Sequence, residues 1–335
     1  MAPPFPQSAP RLQRRTLAPD GPADQTMAQR TPMTEVRIFG LETGGTHCRC
    51  AVGDAAGTFL AQADTPTTTP QATLAAVRAQ FEAFAARFGP PTALGVAAFG
   101  PIAEIPGDPD YGRLARTPKP GWSGFDLLGA LDGVAPVVGL ATDVEAAARA
   151  EALWGAGRSA QRLAYVSVGG GVGVGVADRG RPIRGGGHLE MGLVRVPRAP
   201  GDEAFAGVCP FHGDCLEGLA SGPAIAARWD APAETLGPDH PAWAIQAYYL
   251  AELCAVLVYA HAPDRILLGG GVMAAPGLRD RVRGALARRL NGYAFGPALD
   301  LAALVGAPGL GRSAGVHGAL AVALEALHGA GATPS

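Results

Sequence analysis

The chain has 335 residues, a formal net charge of −2 and 48% apolar residues, which fits two domains of ordinary size with a substantial core. Charged residues make up only 17% of the chain, and their near-neutral balance argues against a nucleic-acid-binding protein. An apolar stretch at 250–260 is short and contains Glu252, so we expect a buried helix there and no membrane span. The five cysteines accompany no secretory signature, which favours reduced thiols and a cytoplasmic location.

Residues 1–33 differ in composition from the rest of the chain. They are rich in Pro, Ala and Arg and show no apolar periodicity. Without the apolar core of a signal peptide, this segment is predicted to be a disordered extension. Two alternatives stay open: a targeting peptide, or a mis-assigned start, since Met33 stands directly before the first predicted strand.

The first half of the chain begins with a predicted hairpin and continues with alternating elements. Two apolar segments, 36–41 and 48–52, are joined by a Gly-containing turn, which is typical of a β-hairpin. A helix with one apolar side is predicted over 73–88. Buried strands are predicted at 94–99 and 137–140, and an alanine-rich helix running to Trp154 follows the second of them.

The second half repeats this order. A hairpin is predicted from 163–168 and 173–177 around a run of glycines, and a strand is predicted at 265–268. Helices are predicted at 243–261, 278–290 and 318–327. This weak internal repeat predicts two α/β domains with a cleft between them, at 34–148 and 149–311. A C-terminal helix at about 312–328 is a candidate to pack back on the first domain.

Three Gly-rich loops each follow a predicted strand. Glycines let the backbone close on a phosphate, and the N–H groups of such a turn bind anions. Each loop alone could be an ordinary turn, but three at strand ends favour phosphate binding. None matches the P-loop pattern. The candidate phosphate-binding residues are Gly44, Gly45 and Thr46 in the first loop, Gly169 and Gly171 in the second, and Gly269, Gly270 and Gly271 in the third.

Asp143 follows a short predicted strand and opens a helix. A carboxylate at such a position is commonly a helix N-cap. The alternative is a general base directed into the cleft, the role that an Asp takes in phosphoryl transfer to a hydroxyl. Both interpretations remain open at this point.

Cys209, His212 and Cys215 lie within seven residues. Two thiols and an imidazole at this spacing suit zinc, but a structural zinc takes four ligands. His188 is the nearest other histidine in the sequence. The alternative is a pair of buried thiols next to a surface histidine.

Together these segments resemble the ROK family of sugar kinases, and within it the bacterial fructokinase-like branch. The resemblance covers about residues 34–327 and is most specific at 207–229. The segments that carry it are GLETGGTHCRCAVGD, AAFGPI, TPKPGW, TDVEAAARAEALWGAG, GGGHLEMGLVRVPR, GVCPFHGDCLEGLASGPAIAARW, DHPAWAIQAYYLA and ILLGGGVM. The resemblance implies a two-domain, actin-like (ribonuclease H-like) α/β fold with ATP and sugar in the interdomain cleft, Mg²⁺ as cofactor, and a homodimer.

The resemblance also implies roles for individual residues. Asp143 matches the base that takes the proton from the sugar 6-hydroxyl. Glu190, with His188 in the same segment, and Glu217 match sugar-binding positions. The first and third Gly-rich loops match the phosphate and nucleotide loops of the family, and Cys209, His212 and Cys215 match three of its four zinc ligands.

Several positions depart from the family pattern. Leu193 stands where the family has its first zinc ligand, a histidine, so a water, His188 or another group would have to replace it, or the metal is absent. His47 replaces a lysine, Gly170 replaces a threonine and Glu145 replaces an asparagine, which would add a negative charge near the sugar. Ser313 replaces a further asparagine.

Fructokinase activity is therefore the leading hypothesis for this sequence. A kinase of another hexose, such as glucose or mannose, is the alternative among enzymes. A sugar-binding sensor with weakened catalysis is the alternative from another class, because the departures concentrate at the site. A transcriptional repressor of the same family would need an N-terminal DNA-binding domain, and residues 1–33 are too short and too Pro-rich for one.

Overall fold

The computed structural model describes residues 37–293 and 299–330. The predicted disordered extension, residues 1–33, lies outside the described residues. The strands are β1 Ile38–Thr43, β2 His47–Gly53, β3 Phe59–Pro66, β4 Ala93–Ala98, β5 Val138–Thr142, β6 Arg162–Val168, β7 Val172–Asp178, β8 Arg181–Pro182, β9 Arg265–Gly269 and β10 Val305–Gly306. The helices are α1 Pro70–Phe88, α2 Asp143–Leu153, α3 Leu216–Ala220, α4 Gly222–Trp229, α5 Ala242–His261, α6 Leu278–Leu290, α7 Leu301–Leu304 and α8 Ala314–Ala330.

The strands form two five-stranded sheets with the same arrangement. The first has the order β3-β2-β1-β4-β5 and the second the order β10-β9-β6-β7-β8. In each, an antiparallel hairpin (β1–β2 or β6–β7) is extended by a parallel strand (β4 or β9) beside its first strand. The internal repeat and the α/β fold predicted from the sequence are therefore confirmed.

The first sheet is covered on both faces, which explains its nearly continuous apolar strands. Phe39 of β1 points to α1, where it stacks on Phe81 at 5.4 Å between ring centroids. The neighbouring Ile38 points to the opposite face and packs in a cluster with Val316 and Leu320 of α8. Alternation along one strand thus directs successive side chains to the two covering helices.

Helix α8 packs against β1, β4 and β5 of the first sheet, and it also packs against α2. The C-terminal helix therefore contacts strands from the first half of the chain. Helix α2 in turn contacts β6 and β7 of the second sheet, so it lies between the two sheets. The predicted boundary at 148/149 falls inside α2; the division into domains stays a prediction.

Helix α5 has the length and the apolar composition of a membrane span, but most of it is buried inside the protein. Its buried residues, among them Trp243, Tyr249 and Leu253, belong to the core cluster of the second half. It is the buried helix that the sequence predicts around 250–260. Glu252 within it accepts a hydrogen bond from the guanidinium of Arg289 in α6, at 2.8 Å.

The structure also differs from the sequence-based expectations. Strand β3 was not predicted, because its alternately exposed and half-buried residues carry little apolar signal. The third Gly-rich loop does not run directly into an α-helix. Instead a 3₁₀ turn, Gly271–Ala274, follows it, and α6 begins only at Leu278.

Candidate active site

A cleft of about 1100 Å³ lies between the two sheets. Its lining includes Glu42 and Arg49 from the first sheet, Asp143 from α2, and Gly-rich turns from the second sheet. Of the predicted site residues, Asp143, Gly169, Gly269, Gly270 and Gly271 line this cleft. The others, which are not part of its lining, are Gly44, Gly45, Thr46, Gly171, His188, Glu190, Glu217, Cys209, His212 and Cys215.

Asp143 is the first residue of α2 and is not its N-cap. The cap is Thr142, whose hydroxyl accepts from the Glu145 N–H while the Glu145 carboxylate accepts from the Thr142 N–H, which forms a capping box. This arrangement leaves the Asp143 carboxylate free to face the cleft, where its Oδ1 accepts from the Val144 N–H at 2.8 Å. The N-cap interpretation is therefore wrong.

The pKa of the Asp143 carboxyl is raised to about 7, first by burial and then by the negative charge of Glu42. A carboxylate with a pKa near neutrality is suited to take a proton at physiological pH. This combination of a perturbed acid and a cleft is typical of a catalytic group.

Glu42 is a site residue that the sequence analysis did not single out. It is the cross-strand partner of Arg49, and the two side chains approach to 3.4 Å between the Arg49 Nη1 and the Glu42 Oε2. Burial raises the pKa of Glu42, and Arg49 opposes that increase. The sequence feature that could have indicated Glu42 is its position at the end of an apolar strand, immediately before a Gly-rich turn.

The turn of the first hairpin is held by its carbonyl groups. The Gly44 carbonyl accepts from the hydroxyl of Thr67 at 2.9 Å, and the Thr46 carbonyl accepts from the Thr67 N–H at 2.8 Å. Between them, the Gly45 carbonyl accepts from the ammonium of Lys119. His47 next to the turn is exposed.

The turn of the second hairpin is held differently. Glu217 of α3 accepts a hydrogen bond from the Val172 N–H at 3.0 Å, and the Gly169 carbonyl accepts from the Gly222 N–H at 2.7 Å. Burial raises the pKa of Glu217, and the charge of Glu190 adds to the increase. A side chain at Gly170 would meet no atom within 4 Å, so the absence of the family threonine leaves open space there.

His188 and Glu190 form a pair beside the cleft. The His188 Nε2 lies 2.9 Å from the Glu190 Oε1, and this contact raises the pKa of His188. The other ring nitrogen, Nδ1, lies 3.8 Å from the Oε1 of Glu104, whose side chain is fully buried. Glu190 itself is 48% exposed, which leaves its carboxylate available to a ligand.

Glu145 is paired with Arg184, so the negative charge that it adds has a cationic partner. The Arg184 Nε and Nη2 each donate to a Glu145 carboxylate oxygen at 3.2 Å. The same Nη2 lies 3.3 Å from the Oε2 of Glu104. Burial and the neighbouring Glu145 raise the pKa of Glu104. Arg184 thus joins the capping box of α2 to the residues that support His188 and Glu190.

The third Gly-rich turn also lines the cleft. Gly270 has φ of +90°, and a Cβ there would approach the backbone of Val168 to 2.3 Å, so only glycine fits. Arg279 lines the cleft as well, and its Nη2 donates to the Leu268 carbonyl at 3.2 Å.

Cys209, His212 and Cys215 converge, with their ligand atoms within 4.8 Å of one another. Both thiols are buried, and burial raises the pKa of Cys215 to about 11. Among the described residues no other His, Cys, Asp or Glu joins this group. His188 is engaged with Glu190 instead, so the structure does not support it as the fourth ligand, and Leu193 has no ligand atom. The donor set fits zinc with three protein ligands.

Known proteins that resemble this chain in sequence and fold are sugar kinases. The chain is 40% identical over 291 residues to a fructokinase from Pediococcus pentosaceus, covering 87% of this chain and 98% of that protein. It is 39% identical to a fructokinase from Zymomonas mobilis, covering 87% and 97%. The ROK hexokinase structure from Thermus thermophilus superimposes with a TM-score of 0.70 at 26% identity, covering 88% and 100%. The description of the ROK family matches residues 38–326, and the chain belongs to that family.

Proposed function

We propose that this protein is an ATP-dependent fructokinase that phosphorylates the 6-hydroxyl of D-fructose. The observation that carries the proposal is Asp143, a carboxylate with a pKa of about 7 in a cleft between the two glycine-turn hairpins. The similarity to the Pediococcus and Zymomonas fructokinases, over nearly their whole length, favours fructose among the hexoses.

In the proposed reaction, an Asp143 carboxylate oxygen accepts the proton of the sugar hydroxyl as that oxygen attacks the γ-phosphorus of ATP. The new P–O bond forms to the sugar, the bond to the β-phosphate oxygen breaks, and ADP leaves. Positioning and charge stabilisation supply most of the rate, and the base assists. Glu190, supported by His188, and Glu217 would accept hydrogen bonds from the sugar hydroxyls.

Carboxylate oxygens are the ligands that Mg²⁺ prefers, and the carboxylate of Glu42 lies in the cleft beside Asp143. Mg²⁺ supplies charge neutralisation to the phosphates when it is bound. Cys209, His212 and Cys215 would supply three ligands of a structural zinc. A cytoplasmic location and a homodimer are part of the same proposal, and neither a nucleic acid nor a membrane is among the proposed partners.

The decisive experiment is a coupled ADP-release assay of the purified protein with ATP, Mg²⁺ and one sugar at a time. The expected result is a kcat/KM for fructose above the values for glucose and mannose. A preference for an aldose would replace the fructose assignment with another hexose kinase. Sugar binding by calorimetry without turnover on any hexose would contradict the kinase proposal and favour a sensor.

A further inference from the structure

Lys119 is the only lysine in the sequence, and the other 26 of the 27 Lys and Arg residues are arginine. Arginine therefore serves as the basic residue everywhere else in this chain. An ammonium and a guanidinium differ in shape and hydration, and the ammonium acts as a compact point charge. The one lysine marks a position where we expect a compact cation to matter.

The backbone around Lys119 holds the side chain in a defined place. The residue lies between Pro118 and Pro120, and proline fixes φ and restricts the residue before it. The same loop is anchored by the fully buried Trp122, whose indole N–H donates to the Thr68 carbonyl at 3.0 Å. The backbone that carries the lysine side chain is therefore restricted in its conformation.

The ammonium of Lys119 lies at the turn of the first hairpin. It donates to the Gly45 carbonyl and lies 5.7 Å from the centroid of the Phe99 ring. An ammonium has three N–H donors. Among the described residues, Gly45 is its only hydrogen-bond partner, so two donors remain for a ligand at the turn.

The first turn needs a cation from outside its own sequence. Its glycines and Thr46 carry no charge, and the nearest charged side chain that lines the cleft on its strand, Arg49, is paired with Glu42. The entering nucleotide brings several negative charges, and phosphoryl-transfer sites stabilise them with fixed cations.

We propose that Lys119 binds the terminal phosphates of ATP at the Gly44–Thr46 turn. This inference rests on the proposed kinase function and names a phosphate ligand outside the glycine turns. The side chain has two roles here: it holds the Gly45 carbonyl, and it presents positive charge to the phosphates.

Substitutions separate these two roles. Lys119→Met removes both, while Lys119→Gln keeps an N–H donor for the Gly45 carbonyl and removes only the charge. Lys119→Arg keeps the charge in a larger, planar group. The matched control is Arg113→Met, which removes a basic side chain of the same loop region that pairs with Asp126 at 3.0 Å.

The first measurement is calorimetric titration of each variant with an imido analogue of ATP and with AMP. Lys119→Met and Lys119→Gln are both expected to weaken analogue binding by roughly 10–100-fold, the range of a charge-assisted contact, and AMP binding by less than about 2-fold. Arg113→Met should change neither. Wild-type affinity in Lys119→Gln, or equal losses for the analogue and AMP, would overturn the inference.

The second measurement uses the single lysine as a chemical target in the wild-type protein. Pyridoxal phosphate with borohydride is expected to inactivate the enzyme, and the ATP analogue should protect it, whereas AMP should not. Lys119→Arg, in which the N-terminal amine is the remaining primary amine, should resist inactivation. Inactivation that the ATP analogue does not prevent would contradict the inference. This result comes from the wild-type protein, so it does not depend on how well the variants fold. A wild-type protein that neither binds nucleotide nor turns over would instead contradict the proposed function.

Discussion

The two hairpin turns occupy equivalent places in the repeated sheets but are stabilised by opposite groups. In the first turn, carbonyls accept from Thr67 and from the ammonium of Lys119. In the second, the Val172 N–H donates to the carboxylate of Glu217. A cation therefore stands beside one turn and an anion beside the other. In the proposed function, the cation would face a phosphate of ATP and the anion would face the sugar hydroxyls.

Asp143 is the proposed base of the reaction, so its substitution should have the largest effect. Asp143→Asn is expected to lower kcat by roughly 10²–10⁴-fold, because the base is lost while the shape is kept. The affinity for sugar and nucleotide should stay near the wild-type value in calorimetric titrations. Undiminished turnover in Asp143→Asn would remove this residue from the reaction.

The same substitution should stabilise the protein at neutral pH. Because the folded-state pKa of Asp143 is raised from 3.8 to about 7, the native state binds the proton more tightly, and stability falls as pH rises through this window. Asn does not titrate, so the melting temperature of Asp143→Asn should exceed that of the wild type increasingly between pH 5 and pH 8. A constant difference across that range would contradict the raised pKa.

Glu217 tests the anionic side of the comparison. Glu217→Ala releases the Val172 N–H and removes a proposed sugar ligand, and kcat/KM for sugar should fall by about 10²-fold. Glu217→Gln can still accept from Val172, so it should lose less. Steady-state kinetics with varied sugar decide this. If the two variants lose activity equally, the negative charge of Glu217 matters for activity and its hydrogen bond to the Val172 N–H does not.

Glu42 tests the charge balance of the cationic side. The negative charge of Glu42 raises the pKa of Asp143. Glu42→Gln removes that charge and should lower the pKa of Asp143 by up to about one unit. The acidic limb of the kcat/KM profile should therefore move to lower pH, even where the maximal rate falls through weaker Mg²⁺ binding. If the acidic limb does not move, the charge of Glu42 does not influence the pKa of Asp143.

The smallest effect on catalysis is expected from Leu193→His, which restores the ligand at the position that the family uses. We expect it to bring zinc to one ion per chain by elemental analysis and to raise the melting temperature, with kcat changed less than about 3-fold. A wild-type protein that already holds a full complement of zinc would show that three protein ligands suffice.

The sequence predicted those features that depend on short segments. Asp143, the Gly-rich turns and the converging Cys209, His212 and Cys215 are each visible within a few residues, because strand ends, glycines and ligand spacing are local patterns. The fold followed from the repeated hairpins and the family resemblance.

Contacts between distant segments were not predictable in this way. Lys119 and Gly45 are 74 residues apart, and Arg184 and Glu145 are 39 apart. No local pattern in the sequence indicates that Arg184 pairs with Glu145, so the partner of the added charge was not foreseen. Glu42 and Arg49 meet because of the register between β1 and β2. That register is fixed by the turn and by the pairing of the whole hairpin.

The return of α8 to the first sheet has a consequence for how the protein is made. Gly95 of β4 lies so close to the helix that a Cβ there would stand 1.8 Å from the Ala319 carbonyl oxygen. The other buried members of the cluster that contains Ile38, Ala51 and Ala93 all come from α8. On the ribosome, one face of this early sheet stays uncovered until α8 emerges. The nascent chain is therefore expected to need protection from aggregation until α8 has been made.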